Sequence, residues 1–159
     1  MKARFPPGVY QIFVTSNFGG KENKCFVLNE DGHIRVVEVG TAPPGQFRIE
    51  YDECGAILIS TMDGKYLGKG KTGSGLVGLK WPLIFKSSNK EGATRFELST
   101  RSPDNDNIIS LREVNHSDTF MHVSDTHKNY AWLATDNGFD TYDLVDNACV
   151  LRFDRVSVP

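Results

Sequence analysis

Short runs of alternating apolar and polar residues, separated by turn residues, dominate the hydrophobic pattern of this chain. The stretch 46–70, QFRIEYDECGAILISTMDGKYLGKG, shows the pattern most clearly. It contains an alternating run over 47–51, an apolar run over 56–59 and a third run that begins at Tyr66. Asp-Gly at 63–64 is a hairpin signal, because this dipeptide fits the tight turn between two strands. A period of two therefore predicts three short strands.

Two weaker copies of the pattern indicate an internal threefold repeat. The segments QFRIEY, RFELST and RFDRVS each place a phenylalanine at the second position, at Phe47, Phe96 and Phe153. An aromatic–aliphatic pair precedes each segment, and a β-rich run precedes each pair. The chain therefore divides into units of roughly 1–54, 55–104 and 105–159, each expected to supply about four strands. The expected core consists of these three phenylalanines with Ile12, Val27, Ile57, Leu67 and Ile109.

The same pattern gives the fold class. No window sustains helical spacing of apolar residues over three turns, and glycine-rich turn segments interrupt the chain throughout. The prediction is one all-β domain over 1–159, closed enough to protect its edge strands. About twelve strands in three pseudo-repeats is the β-trefoil arrangement.

Several motifs resemble those of known single-domain β-trefoils. The Gly-Lys-Tyr-Leu strand is similar to fascin, hisactophilin and fibroblast growth factors, and CFVLNEDG at 25–32 resembles a growth-factor hairpin. HKNYAW at 127–132 resembles a growth-factor motif near the C-terminus, and PGVYQI at 7–12 resembles the start of mushroom trefoils, which include lectins and protease inhibitors. The resemblance covers nearly the whole chain. It is specific for the fold and weak for function, because one fold serves many functions.

The chain shows no pattern typical of an enzyme. The histidines at 33, 116, 122 and 127 have no metal-ligand spacing, and no GxSxG motif occurs. GKGKTG at 68–73 lacks the spacing of a phosphate-binding loop. We therefore expect a non-enzymatic protein with no catalytic residues, no metal and no cofactor.

The charge distribution and the cysteine content bear on the partners and the cellular compartment of the protein. Residues 65–101 carry eight basic and two acidic residues, whereas 102–159 carry four and ten, an asymmetry that could steer a charged partner. Cys25, Cys54 and Cys149 form no CxxC pair and are expected to be free thiols. We expect a monomer that is cytoplasmic, or secreted without a visible signal peptide. Neither nucleic acid nor a membrane is an expected partner.

The functions of the resembling families can be ranked by whether their binding motifs occur in this sequence. Growth factors of this fold hold heparin with a basic loop, but the matching stretch 136–146 has four acids and no base. Ricin-type lectins carry Gln-x-Trp in each unit, and this chain has none. The leading hypothesis is a rigid scaffold that presents loops to a protein partner, namely a serine-protease inhibitor. The alternatives are a growth-factor-like or cytokine-like receptor ligand without a heparin site, and a carbohydrate-binding lectin without Gln-x-Trp.

Four loops are candidates for the inhibitory contact. The hairpin tip Asn29-Glu30-Asp31 is ranked first, because its flanking strands should hold it rigid while its side chains stay exposed. Lys128 with Asn129 is ranked second, since a lysine suits a trypsin-like pocket. Lys90 is third, in a Ser/Asn/Gly-rich loop expected to be mobile. The loop 69–75 is the fourth candidate.

Overall fold

A computed structural model describes residues 6–17, 20–70, 80–86, 90–99, 108–115, 119–123, 131–135 and 150–156. These residues form twelve strands and one short 3-10 turn. In chain order they are β1 (Gly8–Asn17), β2 (Gly20–Leu28), β3 (Ile34–Glu38), β4 (Phe47–Tyr51), β5 (Ile57–Thr61), β6 (Tyr66–Lys69), β7 (Lys80–Lys86), the 3-10 turn Lys90–Gly92, β8 (Phe96–Ser99), β9 (Ile108–Glu113), β10 (Thr119–Val123), β11 (Ala131–Thr135) and β12 (Val150–Arg155).

Six of the strands form a closed antiparallel ring. The order is β1, β4, β5, β8, β9 and β12, and β12 pairs with β1 to close it. The remaining strands form three hairpins, β2–β3, β6–β7 and β10–β11. Each predicted unit thus supplies two ring strands and one hairpin, which is the β-trefoil fold and confirms the predicted fold class. The unit boundaries near 54 and 104 stay a prediction.

Two tight turns set the strands of the central stretch. The amide of Gly64 donates to the carbonyl of Thr61 at 3.1 Å, and Gly64 adopts a φ of 88°. Glycine reaches this left-handed region without a steric penalty, which is why Asp63-Gly64 fits the turn between β5 and β6. The amide of Gly55 donates to the carbonyl of Asp52 at 3.0 Å and closes the turn between β4 and β5. The three strands predicted for this stretch are therefore confirmed.

The core forms where the inward faces of the ring and hairpins meet. Phe47, Phe96 and Phe153 are all buried, as predicted. Ile12, Ile57 and Leu67 are buried with them and confirm those predictions as well. The prediction for Val27 is wrong, because Val27 is only half-buried and its neighbour Phe26 takes the core position. The side chain of Ile109 lies outside the described part.

Aromatic contacts join the hairpins to the ring. The Phe47 ring stacks on Phe85 of β7 with centroids 5.5 Å apart, and Phe26 of β2 meets it edge-on at 6.5 Å. Such pairs stabilise a core beyond the area they bury. Phe47, which lies on the closed ring of strands, thus contacts strands from two different hairpins.

The thiol prediction is confirmed where the structure can test it. Cys25 is free and buried, and burial raises the pKa of its thiol. Cys54 is free and exposed, whereas Cys149 lies outside the described residues. Within the described ranges, no helix is long and apolar enough to cross a membrane.

Truncating a ring phenylalanine should destabilise the whole fold. We expect Phe96→Ala to lower the free energy of unfolding by about 3–5 kcal/mol, because it opens a cavity at a fully buried position. Urea unfolding measures the change. The control Val39→Ala, at a position 41% exposed, should stay within about 0.5 kcal/mol of wild type. Equal losses in both variants would contradict the assigned core.

Candidate functional site

A polar cleft of about 390 Å³ lies where the second and third units meet. We call it the β6–β9 cleft. Its walls are the end of β6, the segment after the 3-10 turn, and the end of β9 with the following turn. The lining residues are Lys69, Gly92, Ala93, Thr94, Arg95, Glu113, Val114 and Asn115. The volume falls within the range of roughly 300–1,000 Å³ that is usual for small-molecule sites.

Backbone hydrogen bonds hold the three walls together. The amide of Thr94 donates to the carbonyl of Leu67 at 2.8 Å, which fixes the middle wall to β6. The amide of Val114 donates to the carbonyl of Arg95 at 2.9 Å, which fixes the same wall to β9. The cleft is therefore built on paired backbone rather than on a free loop, and such a frame keeps the entropy cost of binding low.

An ion pair between β6 and β9 lies in the cleft. The ammonium group of Lys69 is 3.0 Å from Oε2 and 3.3 Å from Oε1 of Glu113. The lysine side chain is 34% exposed, but the glutamate side chain is only 11% exposed. Removing a carboxylate from water is costly even when a partner compensates it. This pair therefore needs an explanation beyond stability.

A second ion pair joins Arg95 of the middle wall to Asp52, which does not line the cleft. Nε of Arg95 donates to Oδ2 of Asp52 at 3.0 Å, and its Nη1 donates to the carbonyl of Ala93 at 3.2 Å. Oδ1 of Asp52 accepts the amides of Cys54 and Ala56, both at 2.8 Å. Desolvation alone would raise the pKa of Asp52, but these amides and Arg95 outweigh it, so the pKa lies below its usual value.

Asn115 forms part of the exposed rim of the cleft. Its φ of 66° lies in the left-handed region, which asparagine tolerates better than other residues with side chains. Asn115 is exposed and lines the same cleft as the ion pair. The cleft thus combines a carboxylate, two cations, an amide and the Thr94 hydroxyl in a small volume.

The fold does not require charges at these positions. In the register of the ring, the residues opposite Phe153, Phe47 and Phe96 are respectively Ile12, Thr61 and Glu113. One position in the ring thus takes an aliphatic, a hydroxyl and a carboxylate side chain. Glutamate is therefore not demanded by strand pairing.

The partner lysine shows the same freedom. The amide of Gly45, two residues before Phe47, donates to the carbonyl of Phe26, just as the amide of Thr94 donates to Leu67. Two residues beyond Phe26 and Leu67 lie Leu28 and Lys69. The place of Lys69 is thus taken by an exposed leucine in the first unit. The ion pair is a local feature added to a fold that accepts uncharged residues there.

The sequence-predicted site residues lie elsewhere. Asn29, Glu30 and Asp31 come together at the β2–β3 turn, where Glu30 and Asp31 are exposed and Asn29 is half-buried. Nδ2 of Asn29 donates to Oδ1 of Asp31 at 2.9 Å, and the amide of Phe85 in β7 donates to the carbonyl of Gly32 at 2.7 Å. The turn is closed and anchored. Its role as a binding loop stays a prediction.

The other three predicted loops have different outcomes. Lys90 is exposed and opens the 3-10 turn, and its ammonium group is 3.6 Å from Oε1 of Glu50. The same carboxylate oxygen accepts the Tyr66 hydroxyl at 2.7 Å, and this bond raises the pKa of Tyr66. Lys128 and Asn129 lie outside the described residues. Of the fourth candidate loop, 69–75, only Lys69 and Gly70 are described, and Lys69 lines the cleft.

Sequence reasoning missed Glu113, although the pattern held a signal for it. Glu113 is in phase with buried Leu111 on β9, and Lys69 is in phase with buried Leu67 on β6. Opposite charges at core-facing positions of two strands mark a paired polar site within an apolar layer. Across the described ranges, no group of three or more His, Cys, Asp or Glu side chains could hold a metal ion.

Comparison with solved structures agrees with the fold. The chain is similar to an agglutinin of Rhizoctonia solani, with a TM-score of 0.61, 10% identity, and coverage of 96% of this chain and 97% of that one. It is also similar to the ricin B-like lectin of Macrolepiota procera in complex with lactose, with a TM-score of 0.54, 16% identity, and coverage of 93% and 95%.

A third similar structure is a salivary protein from Culex of the cysteine- and tryptophan-rich family. Its TM-score is 0.55 at 14% identity, with coverage of 98% of this chain and 99% of that one. No protein-family model and no curated protein sequence matches the chain. At these identities the likeness establishes the β-trefoil fold alone.

The carboxylate of Asp52 should make the stability of the fold depend on pH in the acid range. A pKa lowered by folding adds stability above the unfolded value of about 3.9, and this stability is lost as the pH falls through the folded pKa. We expect Asp52→Asn to lower the free energy of unfolding at pH 7 by about 1–2 kcal/mol, because charge-assisted hydrogen bonds are weakened. It should also flatten the decline in stability below pH 5.

Urea unfolding between pH 7 and pH 2 measures both effects. Glu53→Gln, at an exposed position of the same turn, is the matched control and should leave the slope nearly unchanged. An Asp52→Asn profile parallel to that of wild type across this range would contradict the assigned role of the carboxylate.

Proposed function

We propose that the chain is a non-catalytic carbohydrate-binding protein that holds a saccharide in the β6–β9 cleft. The observation that carries the proposal is the Lys69–Glu113 pair, whose carboxylate is nearly buried and which lines a cleft at positions where the fold itself accepts uncharged residues. A stability role does not explain such a pair, because apolar replacements of buried ion pairs are often neutral or stabilising. A ligand that needs a donor and an acceptor side by side does explain it.

The donor and acceptor set suits sugar hydroxyls. A carboxylate accepts hydrogen bonds from two adjacent hydroxyl groups, and ammonium and amide groups donate to their oxygens. Glu113, Lys69 and Asn115 supply these three kinds of group within one cleft. The fold supports this choice over protease inhibition, because the similar structures include an agglutinin and a ricin B-like lectin solved with lactose.

The test is glycan binding by wild type and Glu113→Gln. A glycan array identifies a ligand, and titration calorimetry gives its affinity. We expect Glu113→Gln to weaken binding at least tenfold, because the amide has one acceptor oxygen and no charge. Glu97→Gln on β8, where the glutamate pairs with Arg112 at 2.9 Å outside the cleft lining, is the matched control and should bind as wild type does.

Two results would contradict this function. The first is the absence of any glycan bound by folded wild-type protein at millimolar concentration. The second is a ligand whose affinity falls equally in Glu113→Gln and Glu97→Gln. Circular dichroism of both variants confirms that the fold is intact before titration.

Protease inhibition through the β2–β3 turn is the second candidate. The observation in its favour is that backbone hydrogen bonds anchor the turn while Glu30 and Asp31 stay exposed. Against it, the amide of Asn29 donates to the carbonyl of His33 and its carbonyl accepts from Gly32. An inhibitory loop needs such groups for the enzyme, since extended segments bind through main-chain hydrogen bonds. This function therefore ranks below carbohydrate binding.

A protease panel tests the second candidate. If it holds, wild type inhibits at least one of trypsin, chymotrypsin, subtilisin and papain. Single alanine substitutions at Asn29, Glu30, Lys90 and Lys128 then locate the loop by a tenfold loss of inhibition. A panel on which wild type inhibits no enzyme removes this candidate.

A further inference from the structure

We infer that the β6–β9 cleft takes an acidic saccharide, a sugar ring with an oxyanion substituent, in preference to its neutral counterpart. This inference rests on the proposed carbohydrate-binding function and specifies its ligand class.

In both ion pairs the acid is the more buried partner. The side chain of Lys69 is 34% exposed against 11% for Glu113, and that of Arg95 is 37% exposed against 15% for Asp52. Asp52 is not among the residues that line the cleft, whereas both cations are. Both cations are therefore more accessible to a ligand in the cleft than the carboxylates with which they pair.

The hydrogen bonds of the acids strengthen this asymmetry. Asp52 directs one oxygen at two backbone amides and the other at Arg95. Both oxygens of Glu113 lie within 3.0 to 3.3 Å of the Lys69 ammonium group. Each carboxylate is thus held by its protein partners. The cations are the more exposed members of the pairs and contribute most to the local potential that an approaching ligand experiences.

Arg95 can bind an oxyanion while it keeps its protein partners, and Lys69 adds a positive charge beside it. A guanidinium group has five hydrogen-bond donors. Arg95 uses Nε for Asp52 and Nη1 for Ala93 among the bonds of the described residues, so its planar donor fork is held in place. A fixed guanidinium suits two-point recognition of a carboxylate or sulfate oxygen pair. The neutral donors of the rim then contact ring hydroxyls.

The closing experiment compares matched neutral and acidic sugars. The probes are the methyl glycosides of galactose and galacturonic acid, the methyl glycosides of glucose and glucuronic acid, and galactose 6-sulfate, each titrated at low salt. We expect the acidic member of a bound pair to bind at least tenfold more tightly. Added salt should reduce the preference, because it screens charge. The sulfate arm distinguishes a carboxylate site from one that takes any oxyanion.

The lysine variants assign the preference to the cleft. Lys69→Gln should reduce the acid-to-neutral ratio to below about threefold, while Lys69→Arg keeps the charge and should retain the preference. Lys65→Gln is the matched control, since it removes the same charge from the exposed β5–β6 turn, outside the cleft lining. Thermal unfolding checks that each variant is folded, and Lys69→Arg keeps the test decisive if Lys69→Gln does not fold.

The possible outcomes distinguish a failure of the acidic preference from a failure of the proposed carbohydrate binding. Equal or tighter binding of the neutral sugars overturns the acidic preference and leaves carbohydrate binding in place. An equal loss of preference in Lys65→Gln and Lys69→Gln also overturns it, because net charge then explains the effect. If no probe and no arrayed glycan binds, the proposed function fails and the inference fails with it.

Discussion

The pairing of the first ring strand with the last is the constraint on which the rest of this structure depends. Tyr10 lies opposite Arg155, and the ladder continues to Ser16 opposite Val150. Without this closure β1 and β12 would be edge strands with exposed donors and acceptors. The contact joins residues that are far apart in sequence, a topology typical of slow folding. The hairpins and the β6–β9 cleft all lie on this closed frame.

The fold was predictable because three units of the sequence repeat the same pattern of buried positions. Each unit places a phenylalanine on a ring strand, and burial of Phe47, Phe96 and Phe153 confirms that these positions share one environment. Alternation with a period of two identified the strands, since adjacent residues face opposite sides of a sheet. Val27 shows the limit of this reasoning. Phe26 and Val27 are neighbours of similar hydrophobicity, and only the register of β2 against β3 decides which of them faces the core.

The site was less predictable, because its residues come from segments far apart in the sequence. Lys69, Arg95 and Glu113 belong to β6, the segment before β8, and β9, and none of them forms a motif by spacing alone. Backbone bonds of Thr94 and Val114 bring the three segments together, and these bonds carry no side-chain signature. The loop ranking favoured Asn29 because hairpin tips are visible in sequence. A cleft between strand ends is visible only once the strand order is known.

The difference between the units is the strongest argument that the cleft has a function. If Lys69 and Glu113 served the fold, the same positions of the other units would carry a comparable pair. Instead the place of Lys69 is taken by Leu28, which is 45% exposed, and the residue opposite Phe47 is Thr61. A threefold scaffold constrains the residues at its centre and leaves those at its rim free to differ. Charged residues in phase with a buried layer occur at one of these sites and uncharged residues at another, so the scaffold does not require the charges, and the polar ligand that we propose would use both of them.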